Sequence, residues 1–372
     1  MTRPVGRPAG SAGTGSLCVL VASVLWGTTG TAATFAPDVG PLAIGAAAMG
    51  LGGLLQALLA GLRIARETPA LRAQRGVVVL GALAVAAYPS AFYTSMHLAG
   101  VAVGTVVSIG SAPLASAVIE RVVDGRRLTR RWTTGAVLGL AGTALLCVAE
   151  AAGATGTEPG AGVHSARTIV LGVLLGLVAG FAYALYSWAA HRLISRDVTS
   201  GAAMGAVFGL GGLLLLPVLA ATGAPLLASW SNAAVGAYMA LVPMFAGYVL
   251  FGWGLAHIPA STATTLSLLE PAVAAVLAVL VVGERLPLLG WAGIALVLAC
   301  LAVLTTPTRR TPKTPTRRTP KSRTRAVPKP LARTAPAERD TAGSPPGRGG
   351  HACAAPGFPP DTTPSQGSEP GL

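Results

Sequence analysis

The 372-residue chain is 52% hydrophobic and 11% charged, with a mean hydropathy of +0.64. Soluble domains carry about 25% charged residues, so the composition excludes a soluble protein and indicates an integral membrane one. The formal charge of +14 is uneven: residues 308–372 hold twelve Lys/Arg against four Asp/Glu, and all three lysines (Lys313, Lys321, Lys329) fall there. The apolar body has no lysine to grip a phosphate in a P-loop, which excludes an ATP-driven pump within it.

The four cysteines (Cys18, Cys147, Cys300, Cys353) show neither metal-type nor CxxC spacing, so neither a metal nor another cofactor is expected. Arg3 and Arg7 precede a long apolar run without an A-x-A-like cleavage site before Trp26, which reads as a retained first helix rather than a cleaved signal. Hydropathy predicts ten membrane helices, since about 20 apolar residues cross a bilayer. The first five fall at roughly 17–36, 41–61, 76–96, 101–120 and 132–150, and the second five at roughly 168–190, 201–221, 233–255, 260–282 and 288–305. Pro, Gly or charge marks the breaks between them, as in PDVGP, RIARETPALRAQR and RVVDGRRLTRR. With both termini placed inside, 25 of the 27 basic residues are cytoplasmic and only Arg167 and Arg285 face out, as the positive-inside rule requires.

The two halves repeat. LVASVLWGTTG (20–30) aligns with LVAGFAYALYS (177–187), pairing Trp26 with Tyr183, and AVGTVVSIGSAP (102–113) aligns with ASTATTLSLLEP (260–271), pairing Pro113 with Pro271. Each half has an odd number of spans, so the second must be inverted in the membrane, a recurrent plan of secondary transporters with a site at mid-membrane. The expected fold is all-α integral membrane: a short cytoplasmic N-terminus (1–16), five-helix repeats at 17–150 and 168–305, and a tail from 306. In the tail, TRRTPKTP and TRRTPKSR repeat with a period of eight amid Pro, Gly, Ser and Thr. Such composition predicts a disordered segment whose partner is anionic lipid rather than nucleic acid.

The ninth span, PASTATTLSLLEPAVAAVLAVLVVGE (259–284), concentrates the chemistry. Its first half is rich in hydroxyls, and Glu270 lies near the middle with Pro271 directly after it. A charge at that depth costs at least about 2.5–3.5 kcal/mol, so it faces a cavity or a partner. Pro271 removes a backbone donor and frees polar backbone beside the acid.

Trp26-Gly27 in the first helix, Leu269-Glu270-Pro271 in the ninth, Gly283–Leu286 (G-E-R-L) after it and the closing run GWAGIALVLA (290–299) together carry a family likeness. On these motifs the chain resembles EamA-type carriers of the drug/metabolite transporter superfamily, over roughly residues 17–305. The resemblance implies two EamA repeats in the cell (inner) membrane and movement of small metabolites, often amino acids or related compounds. The first repeat departs from the pattern: Ala112 stands where the second has Glu270, and Asp124-Gly125 only loosely echoes the Gly-Glu pair.

The residues expected to bind substrate or couple its movement are Glu270, Trp26, Tyr183, Tyr93, Ser108, Thr264 and Ser267, with Pro113 and Pro271 kinking their helices. Glu270 reads either as a proton-carrying coupling group or as a cap on backbone freed by Pro271. The aromatics Trp26, Tyr93, Tyr183, Tyr186, Trp188 and Trp253 line a cavity or pack the core. Trp188, next to His191-Arg192, reads as an interface anchor. Thr105, Ser108 and Ser111 share one helical face, either for substrate or for helix contacts. His97 and His257 close the third and eighth spans.

No Lys or Arg falls inside a predicted span, so a strongly anionic cargo lacks its expected cation. The expected function is secondary transport, in the export direction, of a neutral, zwitterionic or cationic small molecule such as an amino acid or drug-like amine. Protons are the candidate coupling ion. The alternatives from other classes are a membrane-embedded enzyme or flippase for lipid-linked substrates, and a scaffold acting through the basic tail. The enzyme needs clustered ionisable groups that the sequence lacks.

Overall fold

A computed structural model of the protein describes residues 10–154, 166–283 and 286–306. The tail, and Glu284-Arg285 of the G-E-R-L motif, lie outside the described residues. Every regular element among the described residues is helical. Ten spans are long and apolar enough to cross a membrane: Ala12–Ala33, Pro41–Leu59, Arg75–Ala99, Val103–Val123, Arg130–Ala149, Arg167–Ile194, Ser200–Thr222, Trp230–Leu255, Ala260–Val281 and Leu288–Thr305. They match the sequence-predicted spans to within a few residues. The match is physical: in lipid each backbone group must bond within its own helix, so the apolar length fixes the element.

Two features depart from the sequence reading. The charged stretch after the second span folds into a helix, Gly61–Ala73, despite Pro69 within it. Its Glu67 carboxylate accepts from Thr199 N at 2.8 Å and Thr199 Oγ1 at 2.9 Å, closing the start of the seventh span. Helices also overrun the predicted spans at one end of the bundle and take in arginines. Arg121 lies in the last turn of the fourth helix, Arg192 in that of the sixth, and Arg131 at the start of the fifth. Their guanidinium groups stay near helix ends, so the absence of a cation at mid-depth stands.

The end that gathers these arginines is also where side chains bind helix termini. Arg131 donates to the carbonyls of Val303 at 2.5 Å and Leu304 at 2.9 Å, and to that of Thr306. It thereby satisfies orphan acceptors at the C-terminus of the tenth helix. Trp188, expected to anchor at the membrane interface, is instead 6% exposed. Its Nε1 donates to Asp124 Oδ2 at 2.9 Å, and the Arg192 guanidinium, paired with Asp124 Oδ1 at 2.5 Å, lies over its ring. The indole is buried because it bridges the fourth and sixth spans through Asp124. His191 Nδ1 donates to Leu255 O at 2.7 Å, tying the sixth span to the eighth.

Packing pairs the second span with the seventh and the fifth with the tenth. The third packs on the sixth, the first on the eighth, the fourth on the sixth and the first on the ninth. The faces in contact are lined with Gly and Ala, among them Gly50, Gly53, Gly209 and Gly212 between the second and seventh spans. Lipid offers no hydrophobic drive for helix association, so close approach of small residues supplies the attraction. The largest core cluster draws Trp26, Tyr183, Tyr186, Phe208, Tyr248 and Phe251 into one buried group.

Candidate functional site

The site is built where the ninth span breaks. Helix Ala260–Leu266 ends, Ser267 and Leu268 form a turn, and helix Leu269–Leu277 follows. The cause is Pro271. It has no N–H for the carbonyl of Ser267 four residues back, and that carbonyl instead accepts from Glu270 N at 3.0 Å. The tighter, 3₁₀-like turn is the usual repair. Ser267 Oγ donates to Thr264 O at 2.9 Å and accepts from Tyr183 OH at 2.8 Å. The sixth span is thus bonded to the ninth one turn before the acid.

Trp26 approaches from the first span. Its Nε1 donates to Pro243 O at 2.9 Å, within a π-helical stretch, Ala240–Ala246, of the eighth span. A π stretch bonds its backbone from i to i+5 rather than i to i+4, and such segments recur at functional sites; here the indole adds a bond to one of its carbonyls. The Trp26 ring lies 4.9 Å from Tyr248, 5.2 Å from Phe251 and 6.5 Å from Tyr183, centroid to centroid. Gly27 explains why the first span can come so close. A Cβ there would stand 2.7 Å from Val273 Cβ and 2.9 Å from Glu270 O, so the backbones of the first and ninth spans touch beside the acid.

Tyr88 and Phe92 of the third span complete the aromatic group. Tyr88 stacks on Phe92 at 5.6 Å and meets Tyr183 edge-on at 5.8 Å. Tyr186 stacks on Tyr183 at 5.2 Å, and its hydroxyl shares a 2.8 Å hydrogen bond with that of Tyr248. Tyr93 lies across the second span, where a Cβ on Gly45 would collide with its ring. Glu270 is half-buried, and its backbone carbonyl lies against Gly27 of the first span. Among the described residues, no side chain hydrogen-bonds or ion-pairs with the Glu270 carboxylate.

The structure therefore brings Trp26, Tyr183 and Ser267 together at the break that precedes Glu270, whereas Tyr93 packs on Gly45 of the second span and meets the aromatic group only through Phe92, at 5.2 Å. Ser108 and Thr264 sit elsewhere. Ser108 is buried where its carbonyl faces Gly180 of the sixth span, and Thr264 Oγ1 bonds Ala260 O at 3.0 Å and Ser116 Oγ at 3.2 Å. Both occupy helix contacts. Pro113 lies within a continuous fourth helix, Val101–Val123, whereas Pro271 marks a break. His257 Nδ1 donates back to Trp253 O at 2.8 Å in its own helix. Sequence reasoning missed Tyr88, Phe92, Tyr248 and Phe251. Tyr88 and Phe92 are four apart and Tyr248 and Phe251 three apart, a spacing that puts each pair on one helical face.

A cavity of about 520 Å³ opens at the end of the bundle away from the arginines. Thr28, Thr31 and Phe35 line it from the first span and the turn after it, Ser231 and Tyr238 from the eighth, and Leu277 from the ninth. Thr28 Oγ1 and Tyr238 OH share a 2.8 Å hydrogen bond on its wall. Thr28 lies two residues past Trp26, so the cavity starts beside the aromatic group.

Ten apolar spans around a broken helix that carries an acid describe a multi-pass membrane protein, and its relatives make it a transporter. The chain belongs to the EamA-like transporter family, part of the drug/metabolite transporter superfamily, matching it over residues 13–148 and again over 170–306. It is 35% identical over 296 residues to "Uncharacterized transporter YwfM" of Bacillus subtilis (strain 168), a match covering 79% of this chain and 95% of that one. It is 26% identical over 303 residues to the "Probable terminal-alkyne amino-acid exporter" of Streptantibioticus cattleyicolor, covering 77% of this chain and 95% of the relative. A solved structure titled "Crystal structure of protein" shares the fold with a TM-score of 0.62 at 23% identity, over 78% of this chain and 95% of that chain.

Proposed function

We propose that the protein is a secondary carrier that exports a small metabolite bearing an amine, by alternating access around a mid-membrane site centred on Glu270. The observation that carries this reading is the Glu270 carboxylate at mid-span, three residues past the Ser267 that Tyr183 bonds and beside the Gly27 that follows Trp26, with no cation bonded to it among the described residues. A half-buried carboxylate at mid-membrane depth with no side chain bonded to it favours a cationic group on the cargo, or a proton in its absence. The aromatic faces suit the same ammonium and the apolar part of the molecule. The amino-acid exporter among the relatives supports both the cargo class and the direction. Protons as the coupling ion follow from the same carboxylate, which takes one up when the amine leaves.

Two facts support the inverted-repeat plan. The family match falls twice on the chain, once in each half. The helix pairs also respect an exchange of spans one to five with six to ten. Second on seventh and fifth on tenth map onto themselves, third on sixth maps onto eighth on first, and fourth on sixth onto ninth on first. Under such an exchange the break before Glu270, where the ninth span packs on the first, lies between the halves, which supports a site there. The basic-rich end is assigned to the cytoplasm on the positive-inside rule.

Proteoliposome counterflow with a labelled amine tests the reading. Phenethylamine and phenylalanine are expected to exchange in the wild-type protein and to fail in Glu270→Gln. Equal exchange in the Gln variant removes the acid from the mechanism.

A further inference from the structure

A buried carboxylate stands away from the central site. Glu120, near the end of the fourth span, is 3% exposed. One of its oxygens accepts from Ser261 N at 3.2 Å and the other from Ser261 Oγ at 2.7 Å, at the start of the ninth span. One turn deeper, Thr264 Oγ1 lies 3.2 Å from Ser116 Oγ, so the same two spans meet twice. Trp132 of the fifth span donates to Ser261 O at 3.2 Å and covers the contact. Ser116, Ser261 and Thr264 are all buried. Arg121, Arg126 and Arg127 surround this end but are exposed, and none forms an ion pair with Glu120 among the described residues.

The two ends of the ninth span are therefore unlike. At Ser261 it is bonded to the fourth; near Leu277, at the other end, it borders the open cavity. We infer that Glu120 and Ser261 are the latch that closes the arginine-bearing end of the carrier, and that this structure is the conformation open at the opposite end. The bonds are suited to the task. Two of them converge on one residue, Ser261, and hold the end shut. A hydrogen bond is also exchanged for one with water at small net cost, so the contact separates without exposing a large apolar face. The first repeat lacks an acid at Ala112, opposite Glu270, but has Glu120 eight residues on. Within its membrane spans each half thus carries one carboxylate, one for cargo and one for closure.

The inference rests on the alternating-access reading, and the test separates the two. In full-length protein with Cys18, Cys147, Cys300 and Cys353 replaced by serine, a single cysteine is introduced at Ser116 or at Thr31. Its reaction rate with a membrane-impermeant maleimide is then followed in proteoliposomes, added to each side in turn. In the parent, Thr31→Cys reacts quickly and Ser116→Cys slowly. In Glu120→Ala, Ser116→Cys is expected to react at least tenfold faster and Thr31→Cys more slowly; Glu120→Gln and Ser261→Ala shift both rates the same way by less. An unchanged Ser116→Cys rate in Glu120→Ala protein that elutes as the parent does overturns the latch. If that variant does not fold, the rate in Ser261→Ala decides by the same criterion. A faster Ser116→Cys with an unchanged Thr31→Cys supports the latch and counts against alternating access.

Discussion

Trp26 and Pro243, 217 residues apart in sequence, are joined by an indole-to-carbonyl hydrogen bond of 2.9 Å. Pro243 sits in the π-helical part of the eighth span, where backbone bonds run from i to i+5. One side chain thus ties the first span to this stretch and presents its ring to the site. Trp26→Phe keeps the apolar bulk but removes the indole donor, a bond worth about 0.5–1.5 kcal/mol net. The expected outcome is a lower unfolding temperature in detergent, with Trp26→Ala lower still.

Gly27 brings the first and ninth spans into backbone contact at Glu270. Gly27→Ala inserts a Cβ 2.7 Å from Val273 Cβ and 2.9 Å from Glu270 O, so one helix must move. Overpacking of this kind costs about 1–3 kcal/mol. The variant is expected to lose both thermal stability and exchange activity, because the acid moves with its helix. Gly30→Ala, where a Cβ meets nothing within 4 Å, is the control and should leave both unchanged.

Tyr183 and Ser267 form a pair whose worth can be measured directly. Their hydroxyls are 2.8 Å apart, and interhelical hydrogen bonds in membranes are worth about 0.6 kcal/mol on average. A cycle of Tyr183→Phe, Ser267→Ala and the double variant is expected to return a coupling of about that size. A coupling of zero in unfolding measurements would remove the bond from the account of how the sixth span positions the break.

The family match ends at residue 306. Deleting residues 308–372 is therefore expected to leave exchange activity within about twofold of the full chain in reconstituted vesicles. Loss of activity in the purified, folded truncation would favour a role for the basic tail.

The spans were legible because lipid imposes a simple rule on backbone and side chains alike. The distribution of arginines and the double Trp26/Tyr183 and Pro113/Pro271 alignments were equally local. Glu270 and Trp26 were visible as oddities, an acid at mid-span and an indole well inside its helix. Tyr88 and Tyr248 were not, since an aromatic residue in a membrane helix has no sign of its own that it turns inward. Their role depends on third, sixth and eighth spans meeting. Glu120 was missed because it lies where the predicted fourth span ended, and an acid at a helix end reads as solvated. The helix at Gly61–Ala73 was hidden by Pro69 and by its charges, which resemble a loop. Ser108 and Thr264 shared a hydroxyl pattern with Ser267, but only Ser267 stands at the break that Pro271 makes.

The most direct test of the central claim is the unfolding temperature of the purified protein titrated with phenethylamine, in wild type and in Glu270→Gln. A ligand at 100 times its Kd stabilises a folded protein by about 2.7 kcal/mol. The account predicts a saturable rise in the wild type that is lost in Glu270→Gln and kept in the Gly30→Ala control. An equal rise in wild type and Glu270→Gln would contradict it, because the amine would then be held by groups other than the carboxylate.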